Sequence, residues 1–197
     1  MKSNEFSSQG SDECASMRQY SHAEELINNL PYVLMAALGA AIFLVVLDGS
    51  AWAWIMGATY LAYGIAGAFW IMVFVCPFCR YWDTSSCPCG YGLIAARLRK
   101  KADTECFNEK FKRHIPVIVP LWIIPALAGI PALISSFSWL LLALLVVFAL
   151  DAYLILPLVA TQHGCKDCPQ KDTCPWMSRK GRPVVATSTP LAKTSSS

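Results

Sequence analysis

Residues 51–75 read AWAWIMGATYLAYGIAGAFWIMVFV, twenty-five positions without a charge. A helix rises about 1.5 Å per residue and needs about 20 residues to cross a hydrocarbon core. This stretch is long enough, and in lipid a single segment can satisfy its own backbone hydrogen bonds only as a helix. Three further runs have the same character: Pro31 to Leu47, Ile115 to Ile134, and Trp139 to Ala160, the last interrupted by one charge, Asp151. Composition agrees. Of 197 residues, 55% are hydrophobic and 15% charged, and mean hydropathy is +0.44, against about 25% charge in soluble domains. An ordinary soluble enzyme, a disordered chain and a secreted disulfide scaffold are excluded. The expected fold is an all-α integral membrane protein, a four-transmembrane-helix bundle of two hairpins, 31–75 and 115–160.

The connections fall into two kinds. Asp48-Gly49-Ser50 and Ser135 to Ser138 are short and read as tight helical hairpin turns, with Gly49 free to take a positive φ. The polar segments are the N-terminal region 1–30, the loop 76–114 and the tail from 161 onward. Lys2 and Arg18 lie in the first, eight basic residues lie in the second, and six lie in the third, which accounts for all 16 Lys and Arg. Four spans put these three segments on one side, and the positive-inside rule makes that side cytoplasmic. The expected location is the cytoplasmic membrane, with both termini inside. The acidic, polar N-terminus does not read as a secretory signal. Its first residues are expected to be mobile. Ser21-His22-Ala23-Glu24 has capping-box spacing and predicts a short helix through Leu30, with Pro31 opening or redirecting the first span. Residues 161–185 form a Cys-rich tail, and 186–197, rich in Ser and Thr, are expected to be disordered. Leu93 to Arg113 reads as one basic amphipathic helix lying on anionic lipid. Membrane topology accounts for the basic residues, so no nucleic-acid role is expected.

The nine cysteines carry the chemistry. All fall on the predicted cytoplasmic side, where a reducing environment disfavours structural disulfides and clustered thiols more often bind metal. The loop holds Cys76-Pro-Phe-Cys79 and, seven residues later, Cys87-Pro-Cys89. Two close pairs can wrap one tetrahedral metal, each pair supplying two thiolates from a tight turn. The second pair is one residue shorter than a usual zinc knuckle. The tail holds Cys165, Cys168 and Cys174.

The Cys-x2-Cys-x5-Cys run of the tail resembles, over its ten residues, one of the ligand runs in the auxiliary-cluster domains of radical SAM enzymes. The resemblance implies that these three thiolates help hold a [4Fe–4S] cluster. Those domains have another cysteine shortly after the third, and none follows Cys174 here. The fourth ligand must come from elsewhere: His163 is nearest, with Cys106 and Cys14 as alternatives. The prolines after Cys76, Cys87, Cys168 and Cys174 resemble the Cys-Pro steps of iron–sulfur and rubredoxin-like sites. The expected cofactor is therefore an iron–sulfur cluster or zinc, the former slightly preferred. In a compact bundle the two clusters would stand on the order of 10–20 Å apart at one rim, or form one shared site.

Within the spans there is no histidine, so a membrane-embedded bis-His haem is not expected. Asp151 is either functional, as a proton relay or cation site, or structural, bonded to Tyr60, Tyr63 or an indole. Span three carries Pro116, Pro120, Pro125 and Pro131, so neighbours must re-satisfy its freed carbonyls. Gly57, Gly64 and Gly67 give span two a small-residue face for close helix contact. The leading functional expectation is one-electron transfer from a soluble cytoplasmic donor to a membrane partner or quinone. A zinc-stabilised docking scaffold that engages a membrane or cytoplasmic protein is the alternative. A metal or thiophilic-ion transporter is the third.

Overall fold

The computed structural model describes residues 18–172 and 174–178. Cys14 and the expected disordered stretch 186–197 lie outside the described residues. Within them the chain is helical, with no strand. Helix α1 spans His22–Val46, α2 Ala51–Phe74, α3 Tyr91–Leu98, α4 Phe107–His114, α5 Pro120–Ser135, α6 Trp139–Leu150, α7 Leu156–Val159 and α8 Pro175–Ser178. Four continuous helical stretches are long and apolar enough to cross a membrane: His22–Val46, Ala51–Phe78, Thr104–Ser135 and Trp139–Gly164.

The first span is longer than its apolar run. Ser21 caps it: its hydroxyl accepts from the Glu24 N–H, and the Glu24 carboxylate accepts from the Ser21 N–H. That capping box was legible. The expected break at Pro31 is not seen, because the helix runs through it to Val46. A proline removes one backbone donor. Here it is buried, and the turn before it is anchored by Asn28 and Asn29 to the cysteine loop, so the helical path is held from outside.

Helix α1 is the centre of the bundle, packing against α2, α5 and α6. The core consists of Met35, Ile42 and Phe43 from α1, Tyr60 from α2, Leu121 from α5, and Leu141 and Phe148 from α6. The buried face of α2 is Ala53, Gly57, Tyr60, Gly64 and Gly67, alternating steps of four and three that keep one stripe in register. The expected small-residue contact is present. On α1, a Cβ at Gly39 would strike the Tyr60 ring, so the absence of a side chain there makes room for the tyrosine.

In proline-rich α5 one freed carbonyl is re-satisfied by a neighbour as expected. Pro125 has no N–H for the carbonyl four residues back, Leu121, and the Tyr60 hydroxyl donates to that oxygen at 2.7 Å. The Tyr63 hydroxyl donates to the Val117 carbonyl. Both tyrosines are thereby engaged, and the expected structural bond to Asp151 does not form. Asp151 is buried at the start of a π-helical turn, Asp151–Ile155. Neither of its carboxylate oxygens has a hydrogen-bond partner among the described residues.

The single helix expected over Leu93 to Arg113 is a second correction. The chain leaves the helix at Leu98 and re-enters one only at Phe107, through a 3-10 turn at Thr104–Cys106. The intervening stretch is pulled onto the cysteine loop: the Ala102 N–H donates to the Pro77 carbonyl at 2.9 Å. The Asp103 carboxylate then caps the next turn at the Glu105 N–H. Leu93, Ile94 and Leu98 are exposed. The expected pairing of Phe107 with Phe111 is kept, with ring centroids 5.6 Å apart.

Candidate metal centre

Six of the seven clustered cysteines open a tight turn. The carbonyls of Cys76, Cys79, Cys87, Cys165, Cys168 and Cys174 each accept from the N–H three residues on. Such turns leave the side chain at the corner, free to face a shared centre. Two sulfurs also receive a backbone N–H from two residues ahead, Cys79 from Tyr81 and Cys168 from Gln170. An N–H aimed at sulfur favours the thiolate, the form that ligates metal.

The loop and the tail, far apart in sequence, are laced together. The Tyr81 hydroxyl donates to the Asp167 carbonyl at 3.1 Å. Buried Gln170 accepts from the Arg80 N–H at 3.1 Å and donates to the carbonyls of Phe78 and Thr104, both at 3.4 Å. The extension of α1 forms the third wall. Asn28 donates to the Pro88 carbonyl at 2.9 Å and Asn29 to that of Cys89 at 3.0 Å. The Tyr20 hydroxyl donates to the His163 carbonyl at 3.1 Å. At Gly92 the backbone passes so close that a Cβ would strike the Tyr81 carbonyl oxygen and lie 3.0 Å from that of Thr84.

The seven thiols occupy one patch. Burial raises Cys79 to about 12, opposed by the Tyr81 N–H and reinforced by Cys168, Cys87 and Cys174. Burial raises Cys89 to about 12, reinforced by Cys87 and Cys165, and Cys165 to about 12, reinforced by Cys168 and Cys174. Cys168 is likewise raised by burial, against the Gln170 N–H. Cys76 lies in the field of Cys79, Cys87 and Cys89. A bare thiolate is therefore disfavoured here, and a bound metal would reverse the balance, because a coordinating thiol is deprotonated outright. Among the described residues, no three His, Cys, Asp or Glu side chains stand arranged to hold a metal ion.

Of the expected ligands, Cys76, Cys79, Cys87, Cys89, Cys165, Cys168 and Cys174 share the patch, and His163 has an exposed side chain. Cys106 starts α4 rather than joining the turns. Sequence reading missed Tyr20, Asn28, Asn29, Tyr81 and Gln170. Their one signal was polarity beside apolar runs, which does not say what a side chain reaches.

Beside the patch is a cleft of about 240 Å³. Its walls include Pro77 and Phe78, the two residues between Cys76 and Cys79, with Arg99, Lys100, Lys110 and His114. The His114 ring stacks on Phe74, centroids 5.2 Å apart. The Arg99 guanidinium sits over Phe74 and the Lys110 ammonium over Phe78. Among the described residues neither of these two cations has a carboxylate partner.

No family model, curated protein or solved structure matches this chain.

Proposed function

We propose that this chain is a four-span protein of the cytoplasmic membrane whose inner rim holds a thiolate-ligated metal centre and passes single electrons between a soluble donor and a quinone-type acceptor in the membrane. One observation carries the reading. The cysteine-bearing loop and tail are laced together by the Tyr81–Asp167 and Arg80–Gln170 hydrogen bonds, and the Cys76–Cys79 turn of that loop forms one wall of a ring-lined, cationic cleft. Seven thiolates suit an iron–sulfur centre. The centre, when bound, supplies a one-electron redox couple.

The chain's own residues do the rest. Phe74, Phe78 and His114 offer flat faces to an aromatic head group, and Arg99, Lys100 and Lys110 offer positive charge to its oxygens. Gln170 and Tyr81 hold the loop against the tail, and Gly92 packs within the loop. Each transfer oxidises the donor by one electron and reduces the acceptor by one. Full reduction of a quinone takes two such steps and two protons, which water at the rim supplies. All 16 Lys and Arg on the rim side of the four spans support the inward orientation.

A zinc-stabilised docking scaffold is the second reading, favoured by the hydrogen bonds that already lace the rim into one unit. Anaerobic purification with iron, acid-labile sulfide and zinc analysis separates the two. Iron with sulfide and a visible chromophore is expected. A colourless zinc protein would overturn electron transfer and leave the scaffold, and a metal-free protein would overturn both.

A further inference from the structure

Asp151 is the one Asp or Glu inside the four apolar runs, and those runs hold no Lys, Arg or His. It stands midway along the 26-residue stretch Trp139–Gly164 and is 1% exposed. Its backbone is satisfied. The Asp151 N–H donates to the Val147 and Phe148 carbonyls, and the Asp151 carbonyl accepts from the Leu156 N–H to close the π-helical turn. The side chain is left over, with both carboxylate oxygens unpaired among the described residues. Single π turns of this kind are found often at functional positions.

The surroundings offer no counter-charge. The turn packs against α1, α6 and α7. The titratable groups of α1 are His22, Glu24 and Glu25 in its first turn, at the rim, and Tyr32; α6 and α7 carry none. Tyr153 of the turn itself donates to the Trp122 carbonyl of α5, a helix that has no titratable side chain. The other tyrosine hydroxyls of the spans are committed likewise: Tyr32 to Gly64, Tyr60 to Leu121 and Tyr63 to Val117. A carboxylate so placed would be an uncompensated buried charge, costing several kcal/mol. A proton or a metal ion would neutralise it. A hard metal ion takes about six oxygen ligands, and Asp151 brings two while the hydroxyls nearby are held at carbonyls. A proton needs no ligand set.

We propose that Asp151 is a proton-binding site in the middle of the membrane, its carboxyl held as the neutral acid in the resting chain. The site owes nothing to the thiols and stands whether or not the rim binds metal.

Infrared spectroscopy of the full chain at neutral pH, in a detergent without ester carbonyls, tests this. The wild type should show the carbonyl stretch of an un-ionised carboxylic acid, and Asp151→Asn should lose it. The band should be the same in the chelator-treated chain and should survive addition of sodium, potassium or calcium. The remaining Asp and Glu lie in the polar segments, so the wild-type band can be read even if the variant does not fold. A wild type without the band would overturn the proposal. A band that disappears on adding one of those cations would overturn it in favour of a metal-ion site.

Discussion

At the turn end of the bundle the bonds that shape the chain are local, and at the cysteine rim they are long-range. Ser50 caps α2 by accepting from Ala53, and Ser138 caps α6 by accepting from Leu141, each three residues on. Ser135 and Ser136 donate back to the Ala132 carbonyl. Asp48 and Gly49 turn the first hairpin with positive φ values of 49° and 64°. At the rim, Tyr20 reaches 143 residues along the chain to His163, Gln170 reaches 92 to Phe78, and Asn28 reaches 60 to Pro88. The turn end needs only its own residues to form. The rim forms only when the first span, the loop and the tail have all arrived, so it should be the cooperative, breakable part.

Alkaline pH should separate the two ends most. The thiols of Cys79, Cys89 and Cys165 are raised in the fold from 9.0 to about 12. A raised group contributes stability that is complete below its unfolded value and is lost as pH climbs through the folded one. The metal-stripped rim should therefore loosen between about pH 9 and 12 while the helicity of the spans persists. Ultraviolet thiolate absorption read against far-ultraviolet circular dichroism checks this. Titration of Cys79, Cys89 and Cys165 near 9 would mean that the rim is not packed as described.

Next in size is a pair of glycine substitutions. Gly92→Ala drives a methyl group into the Tyr81 backbone and should cost about 3 kcal/mol, at the upper range of overpacking. Gly49→Ala meets nothing within 4 Å and carries only its positive φ, a cost of about 1 kcal/mol. Thermal unfolding in detergent should rank them in that order, and equal effects would erase the distinction between the ends. Gln170→Ala deprives the Arg80 N–H and the Phe78 and Thr104 carbonyls of one partner each. Stability should fall by roughly 2 kcal/mol, with faster proteolysis in the loop and unchanged span helicity. Ser138→Ala removes a cap at the opposite end, worth about 1 kcal/mol, and should leave loop proteolysis unaltered. Tyr60→Phe frees the Leu121 carbonyl within the spans and should have the smallest effect, about 0.6 kcal/mol.

The same contrast explains what could be read in advance. Ser21 and Glu24, the hairpin turns, the stripe from Ala53 to Gly67 and the rescue of the proline-freed Leu121 carbonyl were all legible, because each rests on spacing within a helix or on an obligatory backbone bond. The break between Leu98 and Phe107 was not. Its apolar spacing continued, and long-range bonds interrupted it: Ala102 to the Pro77 carbonyl, Trp82 to the Arg99 carbonyl and Gln170 to the Thr104 carbonyl. The unbroken first helix was misjudged for the same reason, since Asn28 and Asn29 hold it from the loop. Asp151 showed as an oddity, but that it has no hydrogen-bond partner among the described residues depended in part on which carbonyls Tyr60 and Tyr63 would take.

The sequence alone determined four apolar helical stretches, the short turns that pair them, the placement of every Lys and Arg in three segments other than those turns, and the identity of the thiols. Length, hydropathy and residue type are local quantities, and they suffice for those conclusions. Tertiary structure decided that loop and tail are laced together, and that the Cys79 and Cys168 turns adjoin while Gly164, directly before Cys165, sits at Pro88. Adjacency between residues some 80 to 90 positions apart is set by how α1 packs the other spans around itself, and no spacing within either cluster encodes it.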